Sequence, residues 1–339
     1  MGSGFTPDDD RLWPLPRQEV LGNRNGLRAW LEYAGTRGTV ELCSSLPHGI
    51  QRHVINVVAR LVRHFDRTHA EAARSFLRQA FGAGLPRATQ ETMVLGAYRH
   101  LFTLAAREAR FNRRVLPEAL LSHFRIDMCA DVRRVLQTRT GALLVGGHVG
   151  DWEALLALLP RLGFDPFYAV ARPLRNRPLS RMIQRAREGR GIRLLHKRGA
   201  VRAMTRVVRA GGYVGMLIDQ RAVKKTVLAP FFGRLVRCER TIPVLARRLG
   251  VPIVMGACYM TDRPYHYEAC FPAVIWPEEL EGKSHEAILT RLHRELEQMI
   301  LAHPEQYLWL HDRYRNAPAS EGCGQGSGVS LAGTIGTHG

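Results

Sequence analysis

From about residue 138 the chain adopts a rhythm that few folds accept, in which short apolar runs alternate with stretches of helical periodicity. The runs are GALLVGG, FYAVA, IRLLH, YVGMLID and VPIVMGACYM, and the spacing between them predicts helices over 152–162, 179–188, 201–210 and 242–249. Runs of this length without polar alternation belong to strands covered on both faces, and strands joined by crossover helices pair in parallel. YHYEACFPAVIW is compatible with a further strand, and HEAILTRLHRELEQMILAHPEQ has the pattern of an amphipathic helix closing the fold. The expectation is an α/β fold, with a mostly parallel central sheet flanked by helices, over residues 138–317.

Upstream the texture is helical. Between Ile50 and Val115 apolar residues recur at helical spacing (Val54, Val57, Val58, Leu61 and Val62, later Met93, Leu101 and Leu104), with a break at GAGLP. These residues carry 12 Arg against four acids, which suits amphipathic helices lying on anionic lipid and equally a helical bundle with Arg on its wet side. The divisions expected are an N-terminal extension over 1–49, a helical region over 50–137, the α/β core over 138–317, and a disordered Gly- and Ser-rich tail over 318–339.

Several classes are set aside by composition. Six cysteines without a CxxC pair give neither a zinc ribbon nor a disulfide framework, so reduced thiols and no metal ligands are expected. No run of about 18 apolar residues is present, and the N-terminus carries acids where an export signal needs positive charge. A protein at the membrane would therefore be peripheral.

The charge balance is 49 Lys and Arg against 30 Asp and Glu, a formal +19. From Arg172 to Arg209 there are 13 cations and one acid, Glu188, a density that calls for anionic partners near whatever site lies upstream. Nucleic acid would satisfy the charge, but no RNP, zinc-finger or helix-turn-helix signature accompanies it.

Immediately upstream lies GGHVGDWEAL, residues 146–155. The periodicity places His148 at the carboxyl end of a strand, where open α/β sheets bind ligands, and Glu153 in the first turn of the next helix. A carboxylate accepting the Nδ1 proton would fix the imidazole tautomer and leave Nε2 free to take a proton from a hydroxyl. No Ser or Cys adjoins the histidine, which favours direct attack by an activated acceptor over a covalent acyl-enzyme. Asp151 is a second carboxylate in the same turn, placed to compete for the imidazole or to cap the helix.

GGHVGDWE resembles the first block of the lipid A late acyltransferases, the lauroyl and myristoyl transferases of the lysophospholipid acyltransferase superfamily, which usually carries Asn where this chain has Asp151. The likeness continues in order through ARPLRNRPLSRMI, MLIDQ, APFFGRLVRCERTIPVLARRLGVPIV and HPEQYLWLHDRYR, over about residues 50–316. It implies His148 as general base and Glu153 as its orienting carboxylate. It also implies Arg172, Asn176, Asp219, Phe232, Gly233 and Thr241 at the substrate, with Arg172 facing the thioester carbonyl or an anionic group. Asp219 capping a loop and Phe232 filling a core are the structural alternatives. The charged RLVRCERT departs from the family's small-residue approach to Thr241, and the membrane helix common in the family has no counterpart.

The activity this resemblance implies is transfer of a fatty acyl group from an acyl carrier protein or acyl coenzyme A thioester to a hydroxyl of a glycolipid such as a lipid A precursor. No cofactor beyond the thioester is implied, and the place is the cytoplasmic face of the inner membrane. Other acceptors, namely lysophosphatidate, an ornithine-type lipid or a phosphoinositol mannoside, stay open, and a basic nucleic-acid-binding protein is the distant alternative.

Overall fold

Four helices precede the first strand in the computed structural model, which describes residues 13–82, 84–222, 226–315 and 317. The expected disordered tail over 318–339 lies outside the described residues. The helices are α1 (Leu27–Ser45), α2 (His48–Phe65), α3 (Arg67–Phe81) and α4 (Arg87–Arg114). Asp66 caps α3 by accepting from the His69 amide, and the GAGLP break falls between α3 and α4 as expected. α1 is much longer than the short helix suggested by LRAWLEYA, and it packs with α2 on α4.

The sheet follows as β1 (Phe124–Met128), α5 (Ala130–Thr138), β2 (Ala142–Gly146), α6 (Trp152–Leu158), β3 (Phe167–Ala171), α7 (Arg177–Glu188), β4 (Ile192–His196), α8 (Ala200–Arg209) and β5 (Tyr213–Leu217). A hairpin of β6 (Thr226–Phe231) and β7 (Arg234–Glu239) comes next, then α9 (Thr241–Leu249), β8 (Ile253–Met260), β9 (Tyr267–Ile275), α10 (Pro277–Leu280) and α11 (His285–Ala302). Seven strands form one sheet in the order β1-β9-β8-β2-β5-β3-β4, with every pairing parallel except β8 with β9. The α/β class and the mostly parallel sheet expected from the apolar runs are thus present.

β2 is buried at all five positions. Its side chains alternate: Leu143 and Val145 join the core that includes α8, α9 and α11, while Ala142 and Leu144 join the core under α5 and α6. This two-faced burial is why the strand reads as an unbroken apolar run.

Two features differ from expectation. β1, FRIDM, lies in the stretch expected to be helical; it is an edge strand whose alternating burial leaves little apolar signal. The β6–β7 hairpin turns on Phe232-Gly233, where Phe232 has φ 48°, a left-handed conformation that a bulky residue rarely adopts. Glu297 of α11 accepts from the Phe232 amide at 2.7 Å, and the ring is buried against Phe81, Phe231 and Trp309, so tertiary contacts hold a turn that local preference opposes.

Phe76 of α3 ties the helical region to the closing segment. Its ring lies 5.0 Å from Trp309 and from Tyr314, and 6.1 Å from Tyr307, all at steep interplanar angles. Phe76→Ala is expected to cost about 3–5 kcal/mol of stability, measured as a lower midpoint in urea unfolding.

Candidate active site

The β2–β5 register decides which side chains can meet. Gly146 pairs with Leu217, so the residues two positions beyond each strand end, His148 and Asp219, emerge side by side at the carboxyl edge of the sheet. Asp219 grips both ends of that histidine: one carboxylate oxygen accepts from the His148 backbone amide at 2.7 Å, and the other meets Nδ1 at 2.8 Å. Asp219 is buried, while the imidazole keeps a small exposed edge.

With Nδ1–H donated to Asp219, Nε2 is the acceptor nitrogen, and the Gln220 amide nitrogen lies 3.3 Å from it. Trp152 packs against the ring at 4.9 Å between centroids. Burial works against the imidazolium, but the Asp219 charge and hydrogen bond outweigh it, so the His148 pKa is raised above the ordinary 6.5. Burial likewise opposes ionised Asp219, and His148 and its amide prevail, holding that carboxyl below its ordinary 3.8.

The loop carrying His148 is braced from the closing segment. The Leu308 amide donates to the His148 carbonyl at 3.1 Å, and the Gly150 amide to the Gln306 carbonyl at 2.8 Å. Gly150 has φ 61°, and a Cβ there would lie 1.9 Å from the Cys258 carbonyl oxygen, so this turn admits only glycine.

Glu153 does not take the place expected for it. α6 begins at Trp152, and the indole fills the side facing His148; one residue on, about 100° round the helix, Glu153 points to α7 and forms a fork with Arg187, one arm at 2.9 Å. The expectation that Glu153 accepts the Nδ1 proton is therefore corrected: Asp219 does. Burial opposes the Glu153 charge, yet Arg187 holds its pKa below the ordinary value. Asp151 caps α6, accepting from the Ala154 amide at 2.9 Å, so of its two expected roles it takes the structural one; its buried second oxygen has no hydrogen-bond partner among the described residues.

Arg172 follows the last residue of β3 and is exposed at the same sheet edge, two strand spacings, about 10 Å, from β2. Asn176 is buried and holds backbone groups on two helices. It caps α7 through the Leu179 amide and donates to the Ala29 carbonyl at 2.8 Å, pinning α1 to the loop after β3. Phe232 and Gly233 form the hairpin turn, and half-buried Thr241 opens α9.

The basic stretch is not one surface. Arg187 and Arg190 pair with Glu153 and Glu108, and Arg193 is buried under Trp13. Of the exposed remainder, Arg172, Arg175, Lys197 and Arg198 lie in loops, and the others divide between α7 and α8, whose crossovers run in opposite directions along the sheet and so lie on opposite faces.

The family model for bacterial lipid A biosynthesis acyltransferases matches residues 21–316. The chain belongs to that family. This acyltransferase matches no curated protein. Among its described residues no group of three His, Cys, Asp or Glu could hold a metal ion, and no helix is long and apolar enough to cross a membrane.

The sequence named His148 and Asp219 separately but did not pair them; their equal offsets from the ends of two adjacent parallel strands were the available signal. Gln220, Trp152 and Arg187 went unassigned because their roles depend on contacts across helices and loops. A histidine that acts as a base works neutral, so with His148 in that role kcat/KM is expected to rise with pH through a limb above 6.5. Asp219→Asn removes the interaction that raises this pKa and leaves burial to lower it, so the limb should move to lower pH while kcat falls about 10²–10⁴-fold, measured by thioester turnover across pH.

Proposed function

We propose that this member of the lipid A acyltransferase family moves a fatty acyl group from an acyl carrier protein or acyl coenzyme A thioester to a hydroxyl of a lipid A precursor, at the cytoplasmic face of the inner membrane. The observation that carries the mechanism is the Asp219–His148 pair at the carboxyl edge of the sheet, with Nδ1 held and Nε2 left as acceptor.

The acceptor hydroxyl replaces the Gln220 amide at Nε2. As its oxygen attacks the thioester carbonyl, His148 takes the proton, and Asp219 stabilises the imidazolium. The tetrahedral intermediate then collapses: the carbon–sulfur bond breaks, and His148 returns the proton to the departing thiolate. No covalent acyl-enzyme forms. Arg172 faces the developing oxyanion, a contribution of roughly 3–4 kcal/mol for a well-placed donor. Glu153 acts at one remove, as a positioning residue: its fork to Arg187 fixes the first turn of α6, and with it Trp152 against the imidazole.

The test is free-thiol release from both thioesters in the presence of lipid A precursor. Turnover that depends on acceptor and falls at least about 10²-fold in His148→Ala is expected, with Glu153→Gln retaining more activity than Asp219→Asn. Turnover indifferent to His148→Ala would contradict the mechanism.

A further inference from the structure

α1 and α7 are strapped together at one end by backbone pairing: the Arg24 amide donates to the Arg175 carbonyl and the Arg177 amide to the Arg24 carbonyl, each at 2.9 Å. Beyond the strap they diverge around a cleft of about 220 Å³. Trp30, Tyr33 and Arg37 line it from α1 at spacings of three and four residues, and Arg177, Arg181 and Arg185 from α7 at spacings of four. No acid is among the lining residues. Arg177 reaches Glu19 only at 3.8 Å, and Arg181 and Arg185 have no ion pair among the described residues. Guanidinium groups without a paired acid, as at Arg181 and Arg185, are matched to phosphate oxygens, which they hold in forked hydrogen bonds.

What borders the cleft tells which phosphate. Along α1, Leu27, Leu31, Ala34, Gly38 and Leu42 follow one another at three- and four-residue steps, and the acid nearest their row, Glu41, is paired with Arg113 of α4. Leu27 is 78% exposed, Leu31 63% and Leu42 69%, and Trp30, at 50%, stands where this stripe meets the cleft. α2 also exposes apolar side chains, Leu61 and Phe65, the latter 78% exposed. An uncovered apolar helix face flanked by arginines, with a tryptophan at the boundary, has the order of a bilayer surface: acyl region, interface, headgroup.

We propose that the α1–α7 cleft seats the phosphate headgroup of an anionic bilayer lipid while the apolar stripe of α1 lies in the acyl boundary. The inference rests on reading the chain as an enzyme of membrane lipids, and it names the surface and the headgroup chemistry by which it reaches them. The same docking sets the Arg172–Asn176 loop, strapped to α1, toward the membrane.

The experiment is co-sedimentation with phosphatidylcholine vesicles, with and without phosphatidylglycerol. Arg181→Gln/Arg185→Gln should weaken binding to the anionic vesicles by about tenfold or more. Arg202→Gln/Arg206→Gln, an equal charge change on exposed α8, should leave it within about twofold. Brominated lipid should quench fluorescence that is missing in Trp30→Phe. The arginine, Trp30 and Leu31 variants change exposed residues, and matching circular dichroism and melting curves check that every variant folds.

Equal losses from the two arginine pairs would show attraction by net charge alone and overturn the proposal. So would quenching or enhancement of Trp30 fluorescence by inorganic phosphate in protein that does not sediment with anionic vesicles, which would make the cleft a free-phosphate site. Protein that stays off anionic vesicles and dimerises until Leu31→Glu is introduced would assign the stripe to a second copy. His148→Ala protein should bind as tightly as the unmodified protein, so a failure of the proposed turnover is distinguishable from a failure of docking.

Discussion

The parallel pairing of β2 with β5 is the constraint on which the site depends. Because the two strands end in register, the chain needs only two further residues on each to bring His148 and Asp219 within hydrogen-bond distance. Little of this geometry is entrusted to flexible loops. Asp219 binds the backbone amide of the residue whose side chain it orients, which removes rotation of the ring and displacement of its Cα together. The closing segment supports the other side of the same loop, and its Trp309 and Tyr307 are in turn packed on Phe76. A helix far upstream in sequence thus steadies the histidine.

Behind this pair lies a second layer in which carboxylates and guanidinium groups are buried together. Glu153 of α6 pairs with Arg187 of α7, Glu108 of α4 pairs with Arg190 in the turn after α7, and Asp151 sits among them as a helix cap. Buried pairs of this kind add little net stability over apolar packing, but removing one partner leaves an uncompensated charge, so they fix relative positions strongly. Burial raises the pKa of Glu108 and of Asp151 despite the nearby arginines, so these two carboxyls hold their protons more tightly than surface carboxylates do, whereas Arg187 holds Glu153 below its ordinary value.

The sheet was legible because β2, β3, β4, β5 and β8 are covered on both faces and therefore read as apolar runs. β1 was not, since an edge strand alternates too weakly, and the β6–β7 turn was hidden because a phenylalanine in a left-handed conformation obeys tertiary contacts rather than turn preference. His148 was found from its place after a strand. Its partner was misassigned to Glu153 because proximity in sequence favoured a residue five positions on, whereas the first-turn geometry of α6 turns that carboxylate away. The likeness to lipid A acyltransferases pointed to the segments that carry His148 and Asp219 without saying which side chains touch.

Side-chain nitrogen-15 NMR of His148, assigned by the signals lost in His148→Gln, tests the central claim most directly. The account predicts a neutral ring protonated on Nδ1, with a downfield-shifted proton that persists in Glu153→Gln and is lost in Asp219→Asn. Persistence in Asp219→Asn with loss in Glu153→Gln would contradict it.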